Sequence, residues 1–227
     1  PVLGANVIDE ATGLPYLKPY TIFVRQGIRI AVLGMLTPAI PNWLSKDIWR
    51  GLRFDDMVKT ARYWMPVLKK KERADVVIGL FHSGAHGGIT TPDYMEDASE
   101  NVAREVPGFN IVLFGHDHTR HNDTVINTKG QKVLCLDPAN NAITISDATI
   151  QLTREKGKWT VTSINGNLQD ITQEPVDEAY MTHFKPYINK VDAFTNEKIG
   201  EFKHAISSRD CYFGSSAFND LILNLEM

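Results

Sequence analysis

The residues best suited to chemistry are three histidines that stand at the ends of two apolar runs. Phe114-Gly115-His116-Asp117-His118 follows Ile111-Val112-Leu113, and Asp75-Val76-Val77-Ile78-Gly79-Leu80-Phe81 ends in His82-Ser83-Gly84. A buried strand that ends in glycine and then offers His-x-His hands two imidazoles to the mouth of a sheet. An adjacent strand end would hand over a third. Neutral imidazole is a good ligand for Zn, Mn, Fe, Co and Ni. Histidines at i and i+2 beyond a strand end face opposite sides of a loop, so they suit two neighbouring ions rather than chelation of one. A single catalytic zinc needs three protein ligands and an open position, and three histidines meet that count. The alternative is a two-metal centre, with ions ~3.5–4 Å apart, that activates a water and clamps a phosphoryl group.

A two-metal centre also needs a bridging carboxylate, and the local candidates are poor. Asp117 lies between two ligands and is expected to point elsewhere. Asp75 begins its strand, at the wrong end. Asp123 and Asp137 follow the histidines in turn-like settings. A histidine just past a strand is ordinarily a polar loop residue, and His86, His121, His183 and His204 are read that way. Of these, His86 stands nearest the candidate site, because Gly87-Gly88 keeps its loop near His82.

The elements that position the histidines follow from periodicity and punctuation. Ile22–Val24 and Ile28–Gly34 read as a hairpin turned by Arg25-Gln26-Gly27, the second strand apolar enough to be buried on both faces. Val2 to Val7 reads as strand interior. Pro38-Ala39-Ile40-Pro41-Asn42 forces an irregular loop. Asp55 is a candidate N-cap for a helix with Met57, Val58, Ala61, Trp64, Val67 and Leu68 on its apolar face, kinked or broken at Pro66. Lys69-Lys70-Lys71 is read as its solvated end, where cations suit the helix dipole. A polar, Gly-rich stretch runs from Ser83 to Pro92, and a helix is expected over Glu96 to Val106. Strand–helix–strand is the unit of a parallel or mixed α/β sheet, and ligands of such sheets gather at the carboxyl ends of the strands, where these histidines fall. After His118, Thr124–Ile126, Lys132–Leu136, Ala142–Leu152 and Trp159–Ile164 read as an antiparallel meander. A connector helix is expected around Pro175 to Val191, and a new unit from Ile199.

Composition narrows the classes. The 227 residues are 43% hydrophobic and 22% charged, ordinary values for a globular chain. A net charge of -3 gives no bulk electrostatic case for a nucleic-acid polymer or an anionic membrane. No apolar run approaches the length of a membrane span. Cys135 and Cys211 are too few for a disulfide framework and are read as buried free thiols. The chain opens on Pro1 and runs straight into apolar sequence, so a natural start, with any export signal, is expected further upstream.

Together, Gly115-His116-Asp117-His118 after one apolar strand and His82-Ser83-Gly84 after the preceding one resemble the calcineurin-like metallophosphoesterases. The closer resemblance is to the secreted 5′-nucleotidase and 2′,3′-cyclic-nucleotide 2′-phosphodiesterase branch. Pro1 to Val7 resembles the strand shortly after the family's Gly-Asn-His-Asp/Glu motif. Ala74 to Gly84 followed by Glu100-Asn101 is similar to the cyclic-phosphodiesterase members. Phe213 to Ile222 resembles the opening of their C-terminal substrate-binding domain.

The resemblance implies an α/β (α+β) fold. Residues 1–172 would form the second half of a four-layer αββα catalytic domain, 173–198 a connector helix, and 199–227 the start of a C-terminal α/β domain. It implies two divalent metal ions, drawn from Mn, Zn, Fe, Co and Mg. His82 and His116 would ligate one ion and His118 the other, with His118 also near the scissile phosphate. The substrate would be a nucleotide, hydrolysed by a metal-activated hydroxide, in a periplasmic or extracellular protein. The family's Asp-x-His, Gly-Asp-x-x-Asp and Gly-Asn-His-Asp/Glu motifs have no match here and are expected upstream of Pro1; the base-stacking aromatic pair is expected beyond Met227. The chain alone is therefore expected to be inactive. The lack of an Arg-rich stretch around Tyr212 to Ser216 favours a cyclic phosphodiesterase over a strict 5′-nucleotidase. The rivals are a non-catalytic domain with a zinc on the three histidines, and a sulfur-ester hydrolase on the same scaffold.

Overall fold

Apolar runs separated by turn residues pair into a six-stranded mixed sheet in the computed structural model, which describes residues 2–227. In chain order the elements begin with strands β1 (Val7–Asp9), β2 (Tyr20–Arg25), β3 (Ile28–Leu36) and β4 (Leu52–Phe54), then helix α1 (Met57–Pro66). Next come β5 (Val76–His82), β6 (Gly87–Thr90), β7 (Met95–Asp97) and helix α2 (Ser99–Glu105). Strands β8 (Ile111–Leu113), β9 (Arg120–Ile126), β10 (Lys132–Pro138), β11 (Thr144–Glu155) and β12 (Lys158–Asp170) follow, then α3 (Glu178–Thr195) and α4 (Ala217–Glu226). The main sheet runs in the order β2-β3-β5-β8-β10-β9. Its central pairs are parallel and both edge strands are antiparallel to their neighbours.

The expected hairpin is present as β2 and β3. Gln26 (φ 51°) and Gly27 (φ 79°) both adopt the left-handed region that a two-residue turn between twisted strands requires. Two layers cover the sheet. On one face Ala31, Leu33, Val77, Val112, Val133 and Cys135 pack with Met57, Ala61, Leu68, Val102 and Ala103 of α1, α2 and the turn after α1. On the other, Ile111, Leu134 and Leu136 pack against Ala148, Ile150, Ile164 and Leu168 of the long β11–β12 hairpin. Burying each Val, Leu, Ile or Met side chain among these contributes about 1.5–3 kcal/mol. Helix, sheet and hairpin thus form three consecutive layers of an α/β fold.

Several expected boundaries move. Asp56, not Asp55, caps α1, accepting the Lys59 N–H at 2.8 Å; Asp55 pairs with Arg53. Pro66 closes α1, and the chain continues as a π-helical turn over Val67–Lys71. Of the three lysines there, Lys69 is not simply solvated, and burial lowers its pKa. The strand expected from Val2 starts only at Val7, because the chain turns inward at Asn6. The fully buried Asn6 amide donates to Leu36 O (2.6 Å) and Asp55 O (3.0 Å) and accepts the Leu36 N–H (3.0 Å).

The expected meander divides. Strands β9 and β10 join the main sheet, with β10 parallel to β8, while β11 and β12 pair only with each other. The difference lies in burial. Val133 to Leu136 are buried on both faces as an interior strand demands, whereas β11 and β12 alternate half-buried and exposed residues.

The chain divides into two compact units, Pro1–Glu174 and Pro175–Met227. In the second, α3 is capped by Asp177 and is exposed along its length, and α4 is capped by Ser216. Both cysteines are free; Cys135 is buried, but Cys211 is only half-buried, against the Ser216 hydroxyl. Among the described residues no helix is long and apolar enough to cross a membrane.

Candidate metal centre

Strands β5 and β8 are parallel neighbours in register Ile78↔Ile111, Gly79↔Val112 and Leu80↔Leu113. Their carboxyl ends therefore open at the same edge, and a separate antiparallel bridge between Ser83 and Gly115 ties the two loops beyond the strands. The His82 and His116 rings meet there, with centroids 5.1 Å apart and planes at 66°. Trp43 also packs against His116, with ring centroids 5.3 Å apart and planes at 37°. Burial, followed by the neighbouring His116 and His118, pushes the His82 pKa below its usual value of 6.5. At neutral pH His82 is thus uncharged, the form that binds metal.

The His-x-His loop is conformationally strained. His116 has φ 115° and His118 φ 60°, a region that residues with a Cβ seldom occupy. Each such residue costs about 1–3 kcal/mol and persists only where its surroundings enforce it. The surroundings here are a set of main-chain hydrogen bonds. Asp117 Oδ2 accepts the Ala85 N–H at 2.9 Å, and Oδ1 accepts the Thr119 N–H and hydroxyl at 3.0 and 2.8 Å. Burial pushes the Asp117 pKa up, but these donors outweigh it and hold the carboxyl below its usual range. Ser83 donates its hydroxyl to Glu96 O (2.8 Å) and accepts the Ala98 N–H (2.9 Å). Asp97 Oδ1 accepts the Gly84 N–H (2.7 Å). The two histidine loops and β7 are therefore one interlocked unit.

The carboxylates nearest the histidines were not legible as site residues. Glu96 and Asp97 fall in a segment that reads as helix, yet α2 begins only at Ser99 and both residues lie on β7, paired with β6. The signal for this hairpin is Gly87-Gly88-Ile89-Thr90 followed by the turn residues Thr91-Pro92-Asp93. One ligand atom each from Glu96, Asp97 and His116 lie within 4.8 Å of one another. Glu96 Oε1 is 3.1 Å from His116 Nε2, and Asp97 Oδ1 is 4.0 Å from it. Burial raises the Asp97 pKa.

Asp137 is not in a turn. It is fully buried on β10, where Oδ1 accepts the Ala139 N–H at 2.7 Å and Oδ2 has no hydrogen-bond partner. Burial and the neighbouring Asp117 carboxylate push its pKa up to about 7. Asp123 is on β9, 3.5 Å from His121. His121 is more than a loop residue. It lies on β9 against the Phe114 ring, and its Nε2 is 3.0 Å from Glu100 Oε1 without the alignment of a hydrogen bond. His86 is largely exposed, with Nδ1 3.5 Å from Glu100 Oε2. His183 and His204 belong to the second unit.

The touching rings of His82 and His116, with Glu96 and Asp97 beside His116, form a donor set that fits a divalent ion of the Zn or Mn kind. A cavity of about 610 Å³ lies elsewhere, over α1, lined by Arg53, Asp55, Lys59, Tyr63 and Tyr94, and includes none of the three histidines.

No family model matches the chain. It is 32% identical over 194 residues to a 2′,3′-cyclic-nucleotide 2′-phosphodiesterase/3′-nucleotidase of Haemophilus influenzae, covering 75% of this chain and 28% of the relative. The chain thus spans under a third of the length of the curated relatives it matches. Its fold is similar to the calcineurin-like phosphoesterase YfkN from Bacillus subtilis, with TM-score 0.75 and 20% identity over 87% of this chain and 64% of that one. It is also similar to a 5′-nucleotidase precursor from Thermus thermophilus, with TM-score 0.68 and 21% identity over 91% of this chain and 41% of that one. Sequence and fold together relate the chain to the calcineurin-like phosphoesterases of the 5′-nucleotidase and 2′,3′-cyclic-nucleotide 2′-phosphodiesterase family.

Proposed function

We propose that the chain supplies His82, His116 and His118 to a two-metal phosphoesterase centre that hydrolyses nucleotides, with a preference for 2′,3′-cyclic or 3′-phosphates. The observation that carries this reading is the meeting of His82 and His116 at the carboxyl ends of two adjacent parallel strands, on a loop strained at His116 and His118. His82 and His116 hold one ion, and His118 holds the other and lies beside the phosphate. Bound divalent ions supply Lewis-acid polarisation of the phosphoryl group and a strong nucleophile at neutral pH. The chain's own residues do the rest: Asp117 and Ser83 fix the two loops, and the lowered pKa of His82 favours its metal-binding neutral form.

In this reading residues 1–172 are catalytic-domain sequence, 173–198 a connector and 199–227 the start of a substrate-binding domain. The whole protein acts in a periplasmic or extracellular setting, by resemblance to the secreted members of the family. The 227-residue chain by itself turns over nucleotides negligibly, because the Asp-x-His, Gly-Asp-x-x-Asp and Gly-Asn-His-Asp/Glu motifs have no match in it.

Calorimetric titration of the chain with Zn²⁺ or Mn²⁺, followed by assays on 2′,3′-cyclic AMP, 3′-AMP and 5′-AMP, tests the reading. Expected is metal binding that His82→Ala abolishes, and no appreciable hydrolysis. A protein that also carries the three motifs is expected to cleave the cyclic substrate fastest. Rapid hydrolysis by the chain alone, or a single tightly held zinc with no second ion in the longer protein, would overturn it. Preference for a sulfate thioester in the longer protein would move the activity to the sulfur-ester class.

A further inference from the structure

We propose that Glu96 is a positioning residue that fixes the tautomer of His116, taking the Nε2–H on Oε1 and leaving Nδ1 as the lone-pair nitrogen that faces a metal. Three observations support the assignment. Glu96 Oε1 and His116 Nε2 are 3.1 Å apart, hydrogen-bond distance, and both side chains are mostly buried (15% and 20% exposed). The other oxygen, Oε2, accepts the Ile89 N–H at 2.7 Å, so the carboxylate is aimed from behind by the β6 backbone. The rival carboxylate, Asp97, is 4.0 Å from the same nitrogen and is committed to the Gly84 N–H.

The position of β7 itself is secured by Ser83, which holds the Glu96 carbonyl and the Ala98 N–H. Trp43 packs on the imidazole and limits its rotation. A histidine that donates one ring N–H to a buried carboxylate is locked in orientation, and the basicity of its other nitrogen rises. The β6–β7 hairpin, which contributes no histidine, thereby sets the ligand geometry of one that it does not carry. The metal part of this inference rests on the proposed function; the tautomer does not.

The test uses the full 227-residue chain with ring-¹⁵N histidine, and long-range ¹H–¹⁵N correlation without metal at pH 8.5. The His116 signals are assigned by their loss in His116→Gln. Expected is the Nε2–H pattern in the wild type and a shift toward Nδ1–H in Glu96→Leu. With Co²⁺ as probe, Glu96→Leu is expected to weaken binding 10- to 100-fold. The visible spectrum of Glu96→Leu should keep the wild-type shape. A wild-type Nδ1–H tautomer, or an Nε2–H tautomer that survives in Glu96→Leu, overturns the proposal. So does a Co²⁺ spectrum altered in shape in Glu96→Leu, which would make Glu96 a ligand. If the tautomer responds as expected but no Co²⁺ binds to the wild type, the pairing stands and the phosphoesterase reading falls.

Discussion

Asp117 Oδ2 accepts the Ala85 N–H at 2.9 Å, so the residue between two histidines of one loop fastens the loop that carries the third. The carboxylate that spacing alone would dismiss as pointing elsewhere does point elsewhere, and its target is what joins the halves of the site. Hydrogen bonds to charged groups contribute about 1.5–3 kcal/mol each. Asp117→Ala is expected to lower stability by about 2 kcal/mol in urea unfolding and to weaken Zn²⁺ binding, while Asp117→Asn, which can accept at only one of the two oxygen positions, falls between Asp117→Ala and wild type. Equal affinity in Asp117→Ala and wild type would show that the two loops are held independently.

Asp137 gives a pH dependence with a definite sign. Its pKa is pushed up to about 7 in the folded chain, against 3.8 for a free aspartate. The folded state therefore binds more protons between these values, so this group's contribution is complete below pH ~4 and is lost as pH rises through ~7. Asp137→Asn removes the titration and keeps a donor toward the neighbouring Asp117 carboxylate. The variant is expected to gain on wild type by roughly 1–3 kcal/mol between pH 5 and pH 8. Parallel unfolding curves at the two pH values check it; a constant difference refutes it.

Gly84 is required for space rather than for backbone freedom. A Cβ there would lie 2.6 Å from Asp117 Oδ2 and 2.6 Å from Asp97 Oδ1, both anchored to main-chain donors. Gly84→Ala is expected to destabilise by about 1–3 kcal/mol, as overpacking of a filled site does. Thermal unfolding measures the effect, and a shift in the NMR signals of Ala85 and Asp117 would localise it.

Protons compete with metal for imidazole, so binding weakens as pH falls. Because burial and its histidine neighbours depress the His82 pKa, the midpoint of that competition lies below 6.5 at this ligand. The Zn²⁺ affinity is therefore expected to change little at His82 between pH 8 and pH 6.5. His82→Ala should lose binding at every pH. A steep decline already between pH 8 and pH 7 in the wild type would contradict the depressed value.

The parts of the fold that were legible are those where one periodic signal dominates. Continuous apolar runs ending at His82 and Phe114 marked β5 and β8, and Gln26-Gly27 marked the hairpin of β2 and β3, because burial on both faces and left-handed turns each leave a simple pattern. The histidine cluster followed from the first two strands. Glu96 and Asp97 were lost because a three-residue strand has no periodicity to read, and Ser99 onward supplies a helical pattern that absorbs them. Asp137 was misplaced because Pro138 beside it looks like turn chemistry, whereas β10 runs through it at an interior position. The split between β10 and β11 depends on parallel pairing with a distant strand, which no local pattern encodes.

The strained His-x-His loop also bears on when the site can exist. In the unfolded chain an ion finds His116 and His118 as near neighbours, but His82 is separated by a loop whose closure costs entropy. Pairing of β5 with β8 must close it, and a slip of one residue would turn Val112 out of the helix-facing core. The three imidazoles thus come together only after the sheet has chosen its register. Metal capture would then report that folding is complete and would not nucleate it.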